Sequence, residues 1–414
     1  MDEKTIKSYA DRLVNMTTVV PYDHSAPHEN SHLCTHYSIY TNEFVYMVDA
    51  RRYQRELLKP LLESERWGEK CTEAYIQEAL WAILRQALQP GRKGVNGRIQ
   101  KAFAELVTKV ENYSRQYTIY IPLSNIQLDV ETLTIGDVTL FTMTEALFKE
   151  IVAHVTKFMK NEEALDPWLR NLQNTVCAKY TCQAYDDRAR ERGIEACEQV
   201  LELLRFALQR TGQDRLSITI GLLHEVPWYI RTIPALSPEG VSLSGKVMGP
   251  LTPFNIDQTI LNQLEEMGIF KVGSLFQQDI ETDSFHDVLL RGIHWFSNAQ
   301  KQRIKENQFL NLTTCLETFL GKGEDITQTV ACGVAVVLKT TQEERRTLWR
   351  RVKDLYEHRS CLSHGNRSTM LESDLADLWS IAGEFLACTI QRMDEFSQQK
   401  DALKKWIKAQ EFEP

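Results

Sequence analysis

Arg359 and His364 stand five positions apart in the stretch YEHRSCLSHGNR, residues 356–367. An arginine and a histidine together can transesterify RNA without a metal or other cofactor. A histidine with a pKa near ~6.5 takes the 2′-hydroxyl proton or protonates the leaving oxygen. A guanidinium stabilises the negative charge that grows on the phosphorane, best through paired hydrogen bonds. Ser360 can add a hydrogen bond to a phosphate oxygen, and Tyr356 offers a ring to stack on a base. DNA lacks the internal nucleophile, so this set favours RNA. The neighbouring charges are lopsided: Arg345, Arg346, Arg350, Arg351, Lys353 and Arg367 against Asp354 and Glu357. On a chain of net charge −8 such a local basic rim suits a polyanion. Arg350, Arg351, Lys353 and Arg367 are its candidate RNA contacts.

The element that must hold the pair is a helix. At ~100° per residue, Leu348, Val352, Leu355, Tyr356 and Leu362 form one apolar stripe. Arg359 falls at its centre. An unpaired buried guanidinium costs several kcal/mol, so it needs a partner, a wet cleft or a ligand. The bland solution is a structural ion pair with a core carboxylate such as Glu317. His364 lies ~140° round from Arg359 on a regular helix. The two can converge only if the helix ends near His364, as Gly365 predicts, or if two copies pack across a two-fold axis.

Around this helix, the pattern from about Ser284 onward is helical throughout. Five segments with apolar spacing of three and four are joined by short loops, with breaks at 321–325 and at Gly365-Asn366. Thr369 and Glu372 have the spacing of a capping box at the start of the last helix. The stretch 115–282 alternates apolar and polar residues in several runs, with Ile135-Gly136-Asp137 as a hairpin turn and Thr144 as a helix N-cap. Helices are expected at 144–160 and 186–209. Residues 1–114 are mostly helical, with a loop leading into a strand near Tyr37–Tyr46. The expected fold is therefore multidomain: an α+β N-terminal and middle region, divided at 114, ahead of an all-α bundle at 283–414.

At 414 residues, 43% hydrophobic and 25% charged, the chain is long enough for two or three domains and is not of disordered composition. No apolar run approaches the ~20 residues that span a bilayer, and MDEKTIKSYADRL lacks an apolar signal core. A cytoplasmic chain is expected. Its nine cysteines are scattered, with no C-x2-C pair, which predicts reduced thiols. His24, His28, His32, Cys34 and His36 are of zinc-binding types, but their spacing matches no zinc pattern and Pro27 discourages a helix that would align them. A polar surface loop is expected there. Gly321-Lys322-Gly323 has no strand before it and is expected to be an inter-helix turn. Trp379 and Phe385 are expected in the core or at a dimer interface.

The C-terminal part, about 285–395, resembles the HEPN superfamily, and specifically its Apea-like branch. That branch carries Arg-x4-6-His near the end of a late helix, commonly as a Tyr-x-x-Arg-Ser…His-Gly string. Tyr356, Arg359, Ser360, His364 and Gly365 stand at matching places. IHWFSNAQ at 293–300 and FLNLTTCLETFLG at 309–321, including Leu316-Glu317, are similar to its earlier helices. The chain departs from the commoner wording in Ser-Cys-Leu-Ser between Arg359 and His364, and in Ser360 after the arginine. The resemblance implies a metal-independent endoribonuclease that acts as a homodimer, often as a toxin-like effector in antiviral defence. Arg359 and His364 would be its catalytic pair, with Ser360, Tyr356 and Glu317 in support. Residues 1–282 would then be a sensor or regulatory portion, with an antitoxin or trigger protein as a further partner. The alternative is a non-catalytic HEPN adaptor that dimerises or binds RNA or a nucleotide.

Overall fold

The computed structural model describes residues 1–21, 36–40, 44–87, 95–113, 115–156, 172–212, 220–223, 229–237, 240–248, 253–321, 325–365, 370–398 and 401–410. The chain divides into two compact units. One holds Met1–Ile119 with Thr181–Gly193, and the other Tyr120–Tyr180 with Ile194–Pro414. Along the chain, mixed helices and strands precede a purely helical stretch, as the pattern of periodicities predicts.

In the first unit, helix α1 (Glu3–Asn15) opens where the Asp2 carboxylate accepts the Thr5 N–H at 2.7 Å, satisfying one of the donors a helix start leaves free. Strands β1 (Thr17–Pro21), β2 (His36–Tyr40) and β3 (Phe44–Asp49) pair antiparallel in the order β1-β3-β2. Helices α2 (Glu73–Ala87) and α3 (Val95–Glu111) follow. Their apolar spacing brings Ile76, Leu80 and Leu84 into one core with Phe103, Val110, Tyr53 and Trp67. Trp67 stacks on Phe103.

Next along the chain comes a five-stranded sheet of order β6-β7-β8-β4-β9, most of whose residues belong to the second unit. Its strands are β4 (Gln116–Ser124), β6 (Thr132–Ile135), β7 (Val138–Thr142), β8 (Val176–Gln183) and β9 (Gly221–Leu222). In β8, Ala178, Tyr180 and Cys182 are buried while Lys179 and Thr181 are exposed, the period of two that a strand imposes. Gly136 has φ 58° in the two-residue turn between β6 and β7, a conformation glycine takes without a Cβ clash. Helix α4 (Glu145–Thr156) starts as expected, with the Leu147 N–H donating to Thr144 Oγ1 at 3.3 Å. Helix α5 (Asp186–Leu208) follows β8. Strands β10 (Tyr229–Ser237) and β11 (Gly240–Met248) form an antiparallel ribbon, Tyr229 opposite Met248 through Ser237 opposite Gly240.

A parallel strand pairing and a short helix lie beyond what the pattern of periodicities predicts. The three-residue strands β5 (Ile126–Leu128) and β12 (Phe254–Ile256) pair in parallel. Helix α6 (Gln258–Glu266) is then capped by Asp257, whose carboxylate accepts the Ile260 N–H at 2.9 Å.

The five expected C-terminal helices are α7 (Phe285–Lys301), α8 (Lys305–Leu320), α9 (Ile326–Leu338), α10 (Gln342–Ser363) and α11 (Glu372–Gln391). A further helix, α12 (Ala402–Ala409), lays Trp406 against Phe396 and beneath the Arg392 guanidinium. The start of α11 corrects one expectation. The helix begins two residues later than a cap at Thr369 would place it, with Leu371 at the N-cap, and the Leu371 N–H donates to Asp374 Oδ2 at 2.7 Å. Asp374, not Glu372, thus supplies the capping carboxylate, and Thr369 lies outside the described residues. Trp379 is half-buried and Phe385 fully buried, meeting Phe296 and Phe319 respectively. Helices α7 and α8 approach so closely at Gly292 that a Cβ there would lie 2.3 Å from the Phe319 ring. Gly292→Ala is expected to lower stability by about 1–3 kcal/mol through overpacking, measured as a drop in urea midpoint with an unchanged slope.

A polar ladder joins α5 to α7 within the second unit, which holds most of 115–282 together with 283–414. Arg205, 1% exposed, donates from Nε to the Ile220 carbonyl at 3.0 Å and from Nη1 to Glu198 Oε2 and Ser297 Oγ, both at 3.2 Å. Lys301 Nζ donates to Glu198 Oε2 at 2.9 Å, and His294 Nδ1 lies 2.5 Å from Glu202 Oε1. Phe206 meets Phe296 edge to face beside it. No helix among the described residues is long and apolar enough to cross a membrane.

Candidate functional site

Helix α10 carries the arginine, the histidine and most of the basic rim. It starts in a capping box: the Glu344 N–H donates to Thr341 Oγ1, and the Thr341 N–H to Glu344 Oε2, both at 3.3 Å. Val352, Leu355 and Tyr356 are buried, so the apolar stripe faces the bundle. Arg359 points the same way and meets Glu317 of α8. Nε donates to Oε1 at 3.0 Å and Nη2 to Oε2 at 3.1 Å. Both carboxylate oxygens are engaged, a bidentate pairing that is the strongest geometry available to this pair. The arginine side chain is 32% exposed and the glutamate 18%. The guanidinium therefore reaches the edge of the bundle and is not sealed in its centre.

Tyr356 lies beneath this pair. Its hydroxyl donates to the Thr313 carbonyl at 3.4 Å, and the ring is 2% exposed. Burial, reinforced by the Glu317 charge, holds the phenol well above its ordinary pKa. A ring so enclosed has no face to offer a base, which corrects the stacking role expected for it. Tyr356 instead walls the Arg359–Glu317 pair from within.

Past Arg359 the helix keeps its regular bonding up to His364, whose N–H donates to the Ser360 carbonyl at 3.2 Å. His364 is the C-cap, and Gly365 follows at φ 71° with its N–H bonded to Leu362 O, a glycine C-terminus. The predicted break is there, but it falls after His364. The ~140° between Arg359 and His364 set by regular helix geometry therefore stands within one chain. His364 and Ser360 are exposed, and among the described residues no hydrogen bond or ion pair joins His364 to Arg359.

The rim residues separate into two kinds. Arg345 is buried, 7% exposed, donating from Nε to the Lys339 carbonyl at 2.9 Å and from Nη1 to the Gln410 carbonyl at 3.4 Å. Arg351 is bound to two carboxylates of α11, Nε to Asp377 Oδ2 at 2.8 Å and Nη2 to Asp374 Oδ1 at 2.7 Å. Burial raises the Asp374 carboxyl, but the Arg351 hydrogen bond and charge outweigh it and hold the group below the ordinary range. His358, unnoticed in the sequence, also reaches Asp374 at 3.4 Å and meets Phe309 edge to face. The expected RNA contact at Arg351 is thereby spent on joining α10 to α11. Arg346 and Arg350 are exposed, and Lys353 extends over the Trp349 ring at 4.6 Å. Arg367 lies outside the described residues.

Among the described residues no cluster of three or more metal-ligating side chains occurs. His24, His28, His32 and Cys34 lie outside them, and His36 opens β2. The expected turn at Gly321-Lys322-Gly323 is described only at Gly321, the C-cap of α8. No family model matches the chain, no curated protein does, and no solved structure does.

Proposed function

We propose that the helical region of this chain is a metal-independent endoribonuclease of the HEPN type, with Arg359 and His364 as its catalytic pair. The observation that carries this is the end of α10. An exposed histidine caps the helix, five residues beyond an arginine whose guanidinium plane is fixed by Glu317 while Nη1 stays outside the pair. In such a site His364 takes the proton of the 2′-hydroxyl, the 2′-oxygen attacks phosphorus as the P–O5′ bond breaks, and the proton returns from the imidazolium to the departing 5′-oxygen. Arg359 stabilises the charge on the phosphorane. The products are a 2′,3′-cyclic phosphate and a 5′-hydroxyl. The ~140° separation favours a site shared between two copies, and a homodimer through the helical region would supply it. A toxin-like role in antiviral defence, in the cytoplasm, fits this chemistry, with residues 1–282 as the sensor of a trigger or antitoxin.

A second function has its own observation. The bidentate Arg359–Glu317 pair satisfies the arginine without any ligand, which favours a non-catalytic adaptor that dimerises or binds RNA or a nucleotide. Sequencing RNA ends after induced expression separates the two. New 2′,3′-cyclic ends are expected with the native chain, absent with His364→Ala, and undiminished when the purified protein cleaves in EDTA. A requirement for divalent metal would sink the nuclease proposal.

A further inference from the structure

We infer that a single RNA strand lies along the outer face of α10, held by Arg346, Arg350 and Lys353 and ending at His364. The inference deepens the nuclease proposal and rests on it for the identity of the polyanion. At ~100° per residue, Arg346, Arg350, Lys353, Glu357, Ser360 and His364 fall within an arc of about 80°. Of these six, five are exposed and Lys353 is half-buried over Trp349. Among the described residues, none of the three cations is in an ion pair with a carboxylate, whereas Arg351 and Arg345 on the other flanks of the helix are fully engaged. The stripe thus contains the cations the fold has left for an outside partner, and the exposed histidine lies in line with them.

Length and shape decide which RNA fits. The eighteen steps from Arg346 to His364, at ~1.5 Å of rise each, make the row about 27 Å long. It is one residue wide on a convex helix, so it follows one phosphate backbone and not the two of a duplex. A handful of nucleotides of single strand match it; double-stranded modules reach across two minor grooves over ~16 base pairs. The chemistry points the same way. In-line attack needs the 2′-oxygen, phosphorus and 5′-oxygen brought into one line, which a free strand can do and a regular A-form helix resists. Glu357 interrupts the row between Lys353 and Ser360, so phosphate contact is concentrated at the Arg346 end, and the strand is held least tightly near the bond to be cut.

The test is equilibrium binding of the full chain to a ten-nucleotide single-stranded RNA with 2′-O-methyl sugars, which cannot be cleaved, across a salt series. Each phosphate contact contributes about 0.7 to the slope of log affinity against log salt for a single strand. The triple change Arg346→Ala, Arg350→Ala, Lys353→Ala is therefore expected to weaken binding and flatten the slope by about 2. Glu357→Gln is expected to tighten binding, and Arg351→Ala to lower the melting temperature with the slope unchanged. An unaltered slope in the triple variant would overturn the track, as would equal affinity for a duplex of the same sequence. Cleavage of ordinary RNA is scored separately. Salt-dependent binding without cleavage ends the nuclease proposal and leaves the track; cleavage with an unaltered slope does the reverse.

Discussion

His364→Ala is expected to reduce RNA cleavage by about 10²–10⁴-fold while leaving the melting temperature where it was. The side chain is exposed at a C-cap, and its structural bonds run through the backbone, so truncation removes the proton-transfer group and little packing. Arg359→Ala is expected to remove cleavage as well, but with a second signature. It leaves Glu317, 18% exposed, as a part-buried carboxylate beside a buried phenol, and the fold should lose about 1–3 kcal/mol. Arg359→Lys keeps the charge without the two-pronged fork; it should recover part of the stability and little of the activity. Mixing the Arg359→Ala and His364→Ala proteins tests the composite site. A mixed dimer carries one intact Arg–His pair across its axis, so cleavage should return on mixing. If His364→Ala cleaves as well as the native chain, and Arg359→Ala changes melting temperature alone, the pair is structural and the adaptor function stands.

The helical bundle was legible because its elements are long and strongly periodic, and because Gly365 marks the end of α10. The partner of Arg359 was legible too, since Glu317 is a lone carboxylate in the apolar run of α8. The rim was not. Arg351 is consumed by Asp374 and Asp377, on another helix and more than twenty positions on, and no local pattern separates it from Arg350 beside it. The β5–β12 pair escaped for a different reason. Two strands of three residues are too short to show a period, and their pairing joins Ile126 to Phe254 across the chain. Arg205 is the instructive miss. It stands in LELLRFAL, an arginine within an apolar run, which is the very signal that singled out Arg359. At Arg205 that signal leads to a side chain 1% exposed, at Arg359 to one 32% exposed. The anomaly therefore identifies a guanidinium in need of partners, and only its surroundings say whether a substrate can reach it.

Arg205 also carries the largest expected loss of stability. Arg205→Met removes a buried cation that bridges β9's neighbour Ile220, Glu198 and Ser297, and leaves Glu198 in a low-polarity setting with Lys301 alone. A loss of about 3–5 kcal/mol is expected, the range for breaking a buried ion pair from one side. Adding Glu198→Leu should restore much of it, because the cost lies in the carboxylate left behind; coupling of this kind shows as strong non-additivity in the double variant. The pH dependence has a definite sign. Burial pushes the Glu198 carboxyl up, but Arg205 and Lys301 outweigh it and hold it below the ordinary range. Its contribution is therefore complete above the unfolded-state value of ~4.3 and is lost as pH falls through the folded value. His294 runs the other way. Its hydrogen bond to Glu202 raises its pKa, so its contribution is complete below ~6.5 and is lost as pH rises through the raised value. Urea denaturation from pH 3 to 9 should show both limbs in the native chain. In Arg205→Met the acid limb should shrink, since Glu198 has lost its principal cation, while the alkaline limb set by His294 persists. An acid limb of undiminished size would mean that other carboxylates govern it and that the ladder between α5 and α7 is not its source.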